Sequence, residues 1–247
     1  MSLRATLRPV IRRAKAALGL DVYRRPELAV ETVLLGERGG RWSIVPDGLG
    51  PSTVVYTLGV GTDISFERDL IAGYGVTVHA FDPTPIALEW AAGRRLPDRF
   101  VLHPYGVADF DGTARFAAPR KRKFPSFSLV RSGGVGPAVE APVHRLATLA
   151  DMLRLPPPDV IKMDIEGAEY AVVPDLLASG FRPSQILVEF HHRWREVGAR
   201  RTREALTLLA VHGYRIAGVS ENGMEYGFLR SEAAPGQGRD DRTGLPP

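Results

Sequence analysis

The chain has 247 residues, of which 44% are hydrophobic and 24% charged, a balance that suits one large α/β domain and excludes wholesale disorder. It contains no cysteine, which removes disulfides, thiolate nucleophiles and thiolate zinc sites. The net charge of +4 is carried largely by arginines in the first 25 residues and by the run at 120–123, so it describes the periphery and does not by itself favour a nucleic-acid partner.

Taken in chain order, residues 1–20 place Leu3, Leu7, Val10, Ile11, Ala14 and Leu18 at roughly helical spacing against a basic face, with Pro9 interrupting the first part. This is a docking helix or arm, with peripheral contact to a membrane surface as an alternative. "STVVYTLGV" from Ser52 reads as a buried strand, and "DISFERDLIAGYG" as a helix stopped by Gly73 or Gly75. "VTVHAFD" follows as a strand, "PTPIALEWAAG" as a helix and "FVLHPYGVAD" as a strand. Short strands "GTARFAAP" and "VEAPVHRL" flank a long loop, Arg120–Gly136, that carries four adjacent cations, Phe124 and Phe127. The beat then resumes: "PDVIKMDIE" strand, "GAEYAVVPDLLASG" helix with a break expected at Pro174, "SQILVEFHH" strand, and "TREALTLLAVHG" helix ending at Gly213. "YRIAGVS" and "MEYGFLR", joined through "ENG", form a closing hairpin.

Alternating strands and helices predict an α/β fold with a mostly parallel twisted sheet and helices on both faces. One domain over 21–230 is expected, between the arm at 1–20 and a disordered tail at 231–247 rich in Gly, Pro and charge. No apolar run approaches the ~20 residues of a membrane span, and the N-terminus lacks the features of a signal peptide; the expected location is the cytoplasm.

In such a sheet the ligand crevice lies at the carboxyl end of the first strand. Here that end reads "YTLGVGTDIS", where Gly59 and Gly61 permit a tight turn and close backbone approach, whether to a nucleotide or only to another part of the fold. Asp82 ends the next strand, 21 residues after Gly61, at the position where an acid accepts both ribose hydroxyls of an adenosine; its alternative is a helix cap. Asp63 either caps the helix from Ile64 or meets a ligand ammonium. Ile64 stands where a dinucleotide fingerprint has its third glycine, which counts against a nicotinamide cofactor.

"IKMDIEGAEY" (161–170), supported by "YTLGVGTDISFE", "VHAFDPTP", "HPYGVADFDGTARF" and "ILVEFH", resembles the FkbM family of S-adenosylmethionine-dependent methyltransferases from about Trp42 to Arg230. The resemblance implies a Rossmann-like methyltransferase sheet whose last strand inserts antiparallel, in agreement with the hairpin. It also implies cofactor contacts at Gly59, Val60, Gly61 and Asp82 and, for the adenine edge, at the Gly106–Val107 turn. Many methyltransferases carry an acid at the end of the first strand, and this chain has Thr57 there. Asp63 is therefore expected to recognise the methionyl amino group.

Strand alternation puts Lys162, Asp164 and Glu166 on one face, and Glu189 and His191 on one face of the next strand. Unpaired carboxylates in a sheet interior would cost several kcal/mol, so they belong at the crevice. If the two strands are neighbours, Asp164, Glu166, Glu189 and His191 form one polar wall beside the cofactor's sulfonium. His191 is the preferred base, on the strength of its ordinary pKa, with Asp164 positioning cofactor or acceptor and Glu166 and Glu189 binding acceptor hydroxyls or orienting the histidine. Structural alternatives are an Asp164–Lys162 pair, Glu166 at a helix N-terminus and His191 as a loop histidine. A divalent cation held by the carboxylates is a further, less favoured alternative.

The expected activity is O-methyl transfer to a hydroxyl of a sugar, glycan or related natural product, the acceptor class coming from the resemblance alone. The rival is a non-catalytic Rossmann-like module that binds RNA or an anionic membrane surface through its basic arm and loop.

Overall fold

The computed structural model describes residues 11–37, 39–117, 128 and 138–231. The expectations for residues 1–10, for Phe124, Phe127 and the rest of the basic loop other than Ser128, and for the tail beyond Ser231 lie outside the described residues. Residues 11–17 are helical, and the buried Asp21 accepts a 2.6 Å bond from His192 Nε2, fastening the segment that follows to the domain.

The strands, in chain order, are β1 (Val33–Leu35), β2 (Trp42–Ile44), β3 (Val54–Leu58), β4 (Thr77–Phe81), β5 (Phe100–His103), β6 (Gly106–Val107), β7 (Gly112–Phe116), β8 (Val139–His144), β9 (Val160–Met163), β10 (Gln185–Glu189), β11 (Tyr214–Val219) and β12 (Glu225–Arg230). The helices are α1 (Ser65–Tyr74), α2 (Pro85–Ala92), α3 (Leu146–Leu153), α4 (Glu169–Ala178) and α5 (Gly198–Val211). Seven strands form the main sheet in the order β11-β12-β10-β9-β3-β4-β5, with β12 antiparallel to both neighbours and the β10-β9-β3-β4-β5 run parallel. This is the predicted sheet with its inserted antiparallel strand.

Alternation along the strands divides the core. Tyr56, Leu58, Ile161, Met163, Ile186 and Val188 pack with α3, α4 and α5 on one face. Val55, Val160 and Leu187 pack with Phe66 and Leu70 of α1 and with Trp42 and Ile44 on the other. Each fully buried aliphatic side chain stabilises by about 1.5–3 kcal/mol, so the two layers fix the strand register that aims every carboxyl end at one rim.

Three local expectations are corrected, and one element is new. "FVLHPYGVAD" is not one strand: Pro104 and Tyr105 interrupt it, and β6 joins β7 and β8 in a separate three-stranded sheet. The helix over "GAEYAVVPDLLASG" does not break at Pro174, because Val172, Val173, Leu176 and Leu177 are buried around it and their packing outweighs one missing backbone bond. β9 stops at Met163, so alternation does not extend to Glu166. β1 and β2 pair as an unforeseen antiparallel ribbon, bound to the sheet by Gln185, whose side chain accepts from Val45 N at 2.9 Å and donates to Val45 O at 2.8 Å.

Candidate active site

The pocket at the carboxyl ends of β3, β4 and β9 is built around the glycine turn. Gly59 adopts φ +83° and Gly61 φ +58°, both in the left-handed region that glycine enters without steric cost. At Gly59 the need is also spatial: a Cβ there would sit 1.9 Å from the carbonyl oxygen of Asp164. Asp82 holds the turn from below. Its Oδ2 accepts from Val60 N and Gly61 N, each at 2.9 Å, and its Oδ1 from Thr84 N at 2.9 Å and Thr84 Oγ1 at 2.6 Å.

A carboxylate offers about four acceptor positions, and these four bonds fill them. The ribose-binding expectation for Asp82 is revised accordingly: in this arrangement Asp82 shapes the backbone that faces the pocket, and Thr84, not Asp82, is the N-cap of α2. Val60, Gly61, Asp82, Gly106 and Val107 all border the same cavity, although Gly106–Val107 is the strand β6 rather than a turn. Asp63 also borders it, and its Oδ1 accepts from Ser65 N at 2.8 Å, the short-range bond of an Asx turn.

Asp164, Glu166 and Glu189 line the opposite side of this cavity. Asp164 and Glu166 reach it through a turn. Glu166 is a non-glycine residue at φ +52°, a conformation costing about 1–2 kcal/mol, and its carbonyl accepts a 2.6 Å bond from Ser128 Oγ. Behind them lies His191, 4% exposed. Its Nδ1 donates to Glu169 Oε1 at 3.0 Å, while its Nε2 lies 3.3 Å from Glu166 Oε2 and 3.9 Å from Asp164 Oδ1. The ring of Trp194 sits 4.4 Å from the His191 ring, centroid to centroid.

Glu169 was not foreseen, since an acid in the first turn of a helix reads as a dipole partner. It is fully buried, and its Oε1 also accepts from Ile165 N at 3.2 Å and Gly167 N at 3.3 Å. One carboxylate thus fixes the loop that presents Asp164 and Glu166 and orients the histidine behind them. Asp164, Glu169 and His191 also lie close enough to share a cation, with Asp164 Oδ1 and Glu169 Oε2 lacking hydrogen-bond partners among the described residues.

Burial alone would lower the His191 pKa, but the charge of Glu169 and the bonds to Glu166 and Glu169 outweigh it and push the pKa up to about 11. The expectation that His191 is the base is therefore corrected, because an imidazolium at neutral pH has no lone pair to offer. Burial and the neighbouring Glu166 raise Asp164 to about 6, and burial together with Asp164 raises Glu189 to about 9. Near neutrality Asp164 is the ionised group facing the pocket with a pKa nearest the working pH, and Glu189 is a neutral acid.

The raised pKa values of His191 and Glu189 act on stability in the same direction. Above about 6.5 the unfolded chain has released the His191 proton, and above about 4.5 that of Glu189, while the native state keeps both. Stability is therefore expected to fall as pH rises from 6.5 to 9, with a slope proportional to the number of protons the native state retains. Glu189→Gln removes one of the two, so its slope in denaturant melts is roughly half that of the wild type; equal slopes would show that Glu189 is ionised in the native state.

Beneath the glycine turn a second polar group was equally unforeseen. Thr57 donates its hydroxyl to Glu67 Oε1 at 3.1 Å, and Lys162 Nζ is 3.2 Å from the same oxygen. The Asp164–Lys162 pair that the sequence allows is not the one formed.

A family model, the methyltransferase FkbM domain, matches residues 49–216. No curated relative of the chain was found. Among solved structures the chain is similar to the FkbM methyltransferase of Methylobacillus flagellatus KT, with 14% identity and TM-score 0.47 over 73% of this chain, although that match covers 44% of the other chain. It is also similar to a precorrin-6y C5,15-methyltransferase from Geobacter metallireducens GS-15, with 12% identity and TM-score 0.41 over 74% of this chain and 83% of the other. A third is the Aeropyrum pernix fibrillarin in complex with S-adenosyl-L-methionine, with 9% identity and TM-score 0.39 over 73% of this chain and 66% of the other. The domain match spans most of the chain and takes in the glycine turn, Asp82, the Asp164–Glu169 loop and His191, and the protein belongs to the FkbM methyltransferase family.

Proposed function

We propose that the chain is an S-adenosylmethionine-dependent O-methyltransferase acting on a hydroxyl of a sugar, glycan or related natural product. The observation that carries this is the convergence on one cavity of the glycine turn shaped by Asp82 and an acidic wall made by Asp164, Glu166 and Glu189. A left-handed glycine turn at a strand end lets the nucleoside part of the cofactor approach the backbone closely, and the excess of carboxyl groups suits its positive charge. When bound, S-adenosylmethionine supplies an electrophilic methyl group.

The remaining tasks fall to the chain's own residues. Asp164 takes the proton of the acceptor hydroxyl, its raised pKa keeping it basic enough for the work and still ionised near neutrality. Glu189, protonated at the same pH, donates a hydrogen bond to the acceptor, and Glu166 accepts one. His191 works as a fixed cation: it neutralises part of the wall and braces Glu166 against Glu169.

Calorimetry with S-adenosylhomocysteine, NAD and a generic RNA at moderate salt tests the assignment. Saturable binding of S-adenosylhomocysteine alone is expected. Preference for NAD, or binding of RNA that weakens steeply with salt, would replace this reading with one of its rivals.

A further inference from the structure

The buried ion pair of Glu67 and Lys162 has no part in the proton transfer proposed above. The two side chains are 2% and 7% exposed, and the Lys162 ammonium lies 5.2 Å from the centre of the Trp42 ring. Thr57 and Lys162 are register partners on β3 and β9, and Glu67 reaches them from the first turn of α1, so three elements deliver this group to one point. Trp42, Glu67 and Lys162 border the same cavity as Gly59 and Asp63.

Burying such a pair costs several kcal/mol per ion before their attraction is counted, and an apolar pair of similar volume often serves a fold as well or better. Its place in the pocket wall gives it a second use. Glu67 Oε1 receives both bonds described above, leaving Oε2, and Lys162 directs one of its three N–H donors to Glu67. Among the described residues lining the cavity, the cations are Lys162 and Arg41; Arg41 is exposed and directs Nε to Gly36 O, which leaves Lys162 as the buried one.

We infer that the Glu67–Lys162 pair binds the amino-acid end of the methyl donor, Glu67 meeting its ammonium and Lys162 its carboxylate, with Trp42 covering Lys162. A zwitterion brings equal and opposite charges, so it can join the pair without adding net charge to a desolvated site. Trp42 lies outside the residues matched by the family model, which makes the ribbon of β1 and β2 part of the site in this chain. Asp63, already turned to the Ser65 amide and exposed, is displaced from the role first expected of it.

This inference rests on the donor proposed above, and its test separates the two. Binding of S-adenosylhomocysteine and of 5′-methylthioadenosine, which keeps the adenosine and thioether but lacks the amino acid, is measured by calorimetry. The proteins are the wild type, Glu67→Gln, Lys162→Met and the double variant, in which no buried charge is left unpaired. Each variant is expected to lose about 10- to 100-fold in affinity for S-adenosylhomocysteine, and to bind 5′-methylthioadenosine within about 3-fold of wild type. Equal loss for both ligands in the double variant, or no loss for either, overturns the assignment while leaving the methyl donor in place. A wild type that binds neither ligand overturns the donor and the assignment together.

Discussion

Asp164→Asn is expected to lower kcat by about 10²–10⁴-fold while S-adenosylhomocysteine binding stays within a few-fold of wild type. The substitution keeps the shape of the side chain and removes its capacity to take a proton. Asp164 Oδ1 has no hydrogen-bond partner among the described residues, so the substitution breaks no hydrogen bond to that oxygen, and the lost charge bears chiefly on His191, 3.9 Å away, and on Glu189. Its neighbours explain why this carboxylate and not another is suited to the task. Glu166 is braced by His191, Glu169 Oε1 is occupied by three donors, and the Glu189 proton is held to about pH 9. In the wild type kcat should rise with pH through the raised pKa of Asp164, near 6, and that limb should be missing from the residual activity of Asp164→Asn. His191→Gln is the control. If it, and not Asp164→Asn, removes the limb, proton transfer belongs to the histidine after all.

Much of the fold was legible because it depends on local signals. "STVVYTLGV", "VTVHAFD" and "SQILVEFHH" are β-branched or apolar runs with turn residues after them, and each became a parallel strand. The closing hairpin was readable from "ENG" between two apolar runs, and it became β11 and β12. The features that escaped depend on distant partners. Glu67 looks like any acid in a helix's first turn until Thr57 and Lys162 are brought beside it from two strands. Glu169 is ambiguous in the same way, its role being set by backbone amides of its own loop and a histidine 22 residues away. The ribbon of β1 and β2 has three-residue strands, too short to show a period, and is held by Gln185, 140 residues further on. His191 belongs with them. Alternation along "LVEFHH" put it in the wall itself, whereas β10 ends at Glu189 and the buried ring sits behind the wall, and its protonation state follows from three carboxylates whose distances no sequence pattern records.

Gly59→Ala should be more damaging still, acting on the scaffold as well as the chemistry. At φ +83° an alanine is disfavoured by about 1–2 kcal/mol for its backbone conformation alone. Steric contact adds more: the new Cβ would lie 1.9 Å from the Asp164 carbonyl oxygen, so the ends of β3 and β9 must move apart. That movement strains the bond from Asp164 N to Leu58 O and the one from Gly59 N to Phe81 O, each 2.9 Å. Overpacking of this kind costs roughly another 1–3 kcal/mol, and at about 2–4 °C per kcal/mol for a domain of this size the melting temperature is expected to drop by about 5–15 °C. Because the same movement displaces the amides of Val60 and Gly61 from Asp82, S-adenosylhomocysteine affinity should fall by at least about 100-fold even where the variant is still folded. Gly73→Ala is the comparison: its Cβ would meet nothing within 4 Å, it lies inside α1, and alanine favours a helix by about 1 kcal/mol over glycine. That variant should melt no lower than wild type and bind normally. Equal behaviour of the two alanine variants would mean that the turn is not pressed against β9, and the arrangement that brings Asp164 to the cofactor's side of the pocket would have to be abandoned.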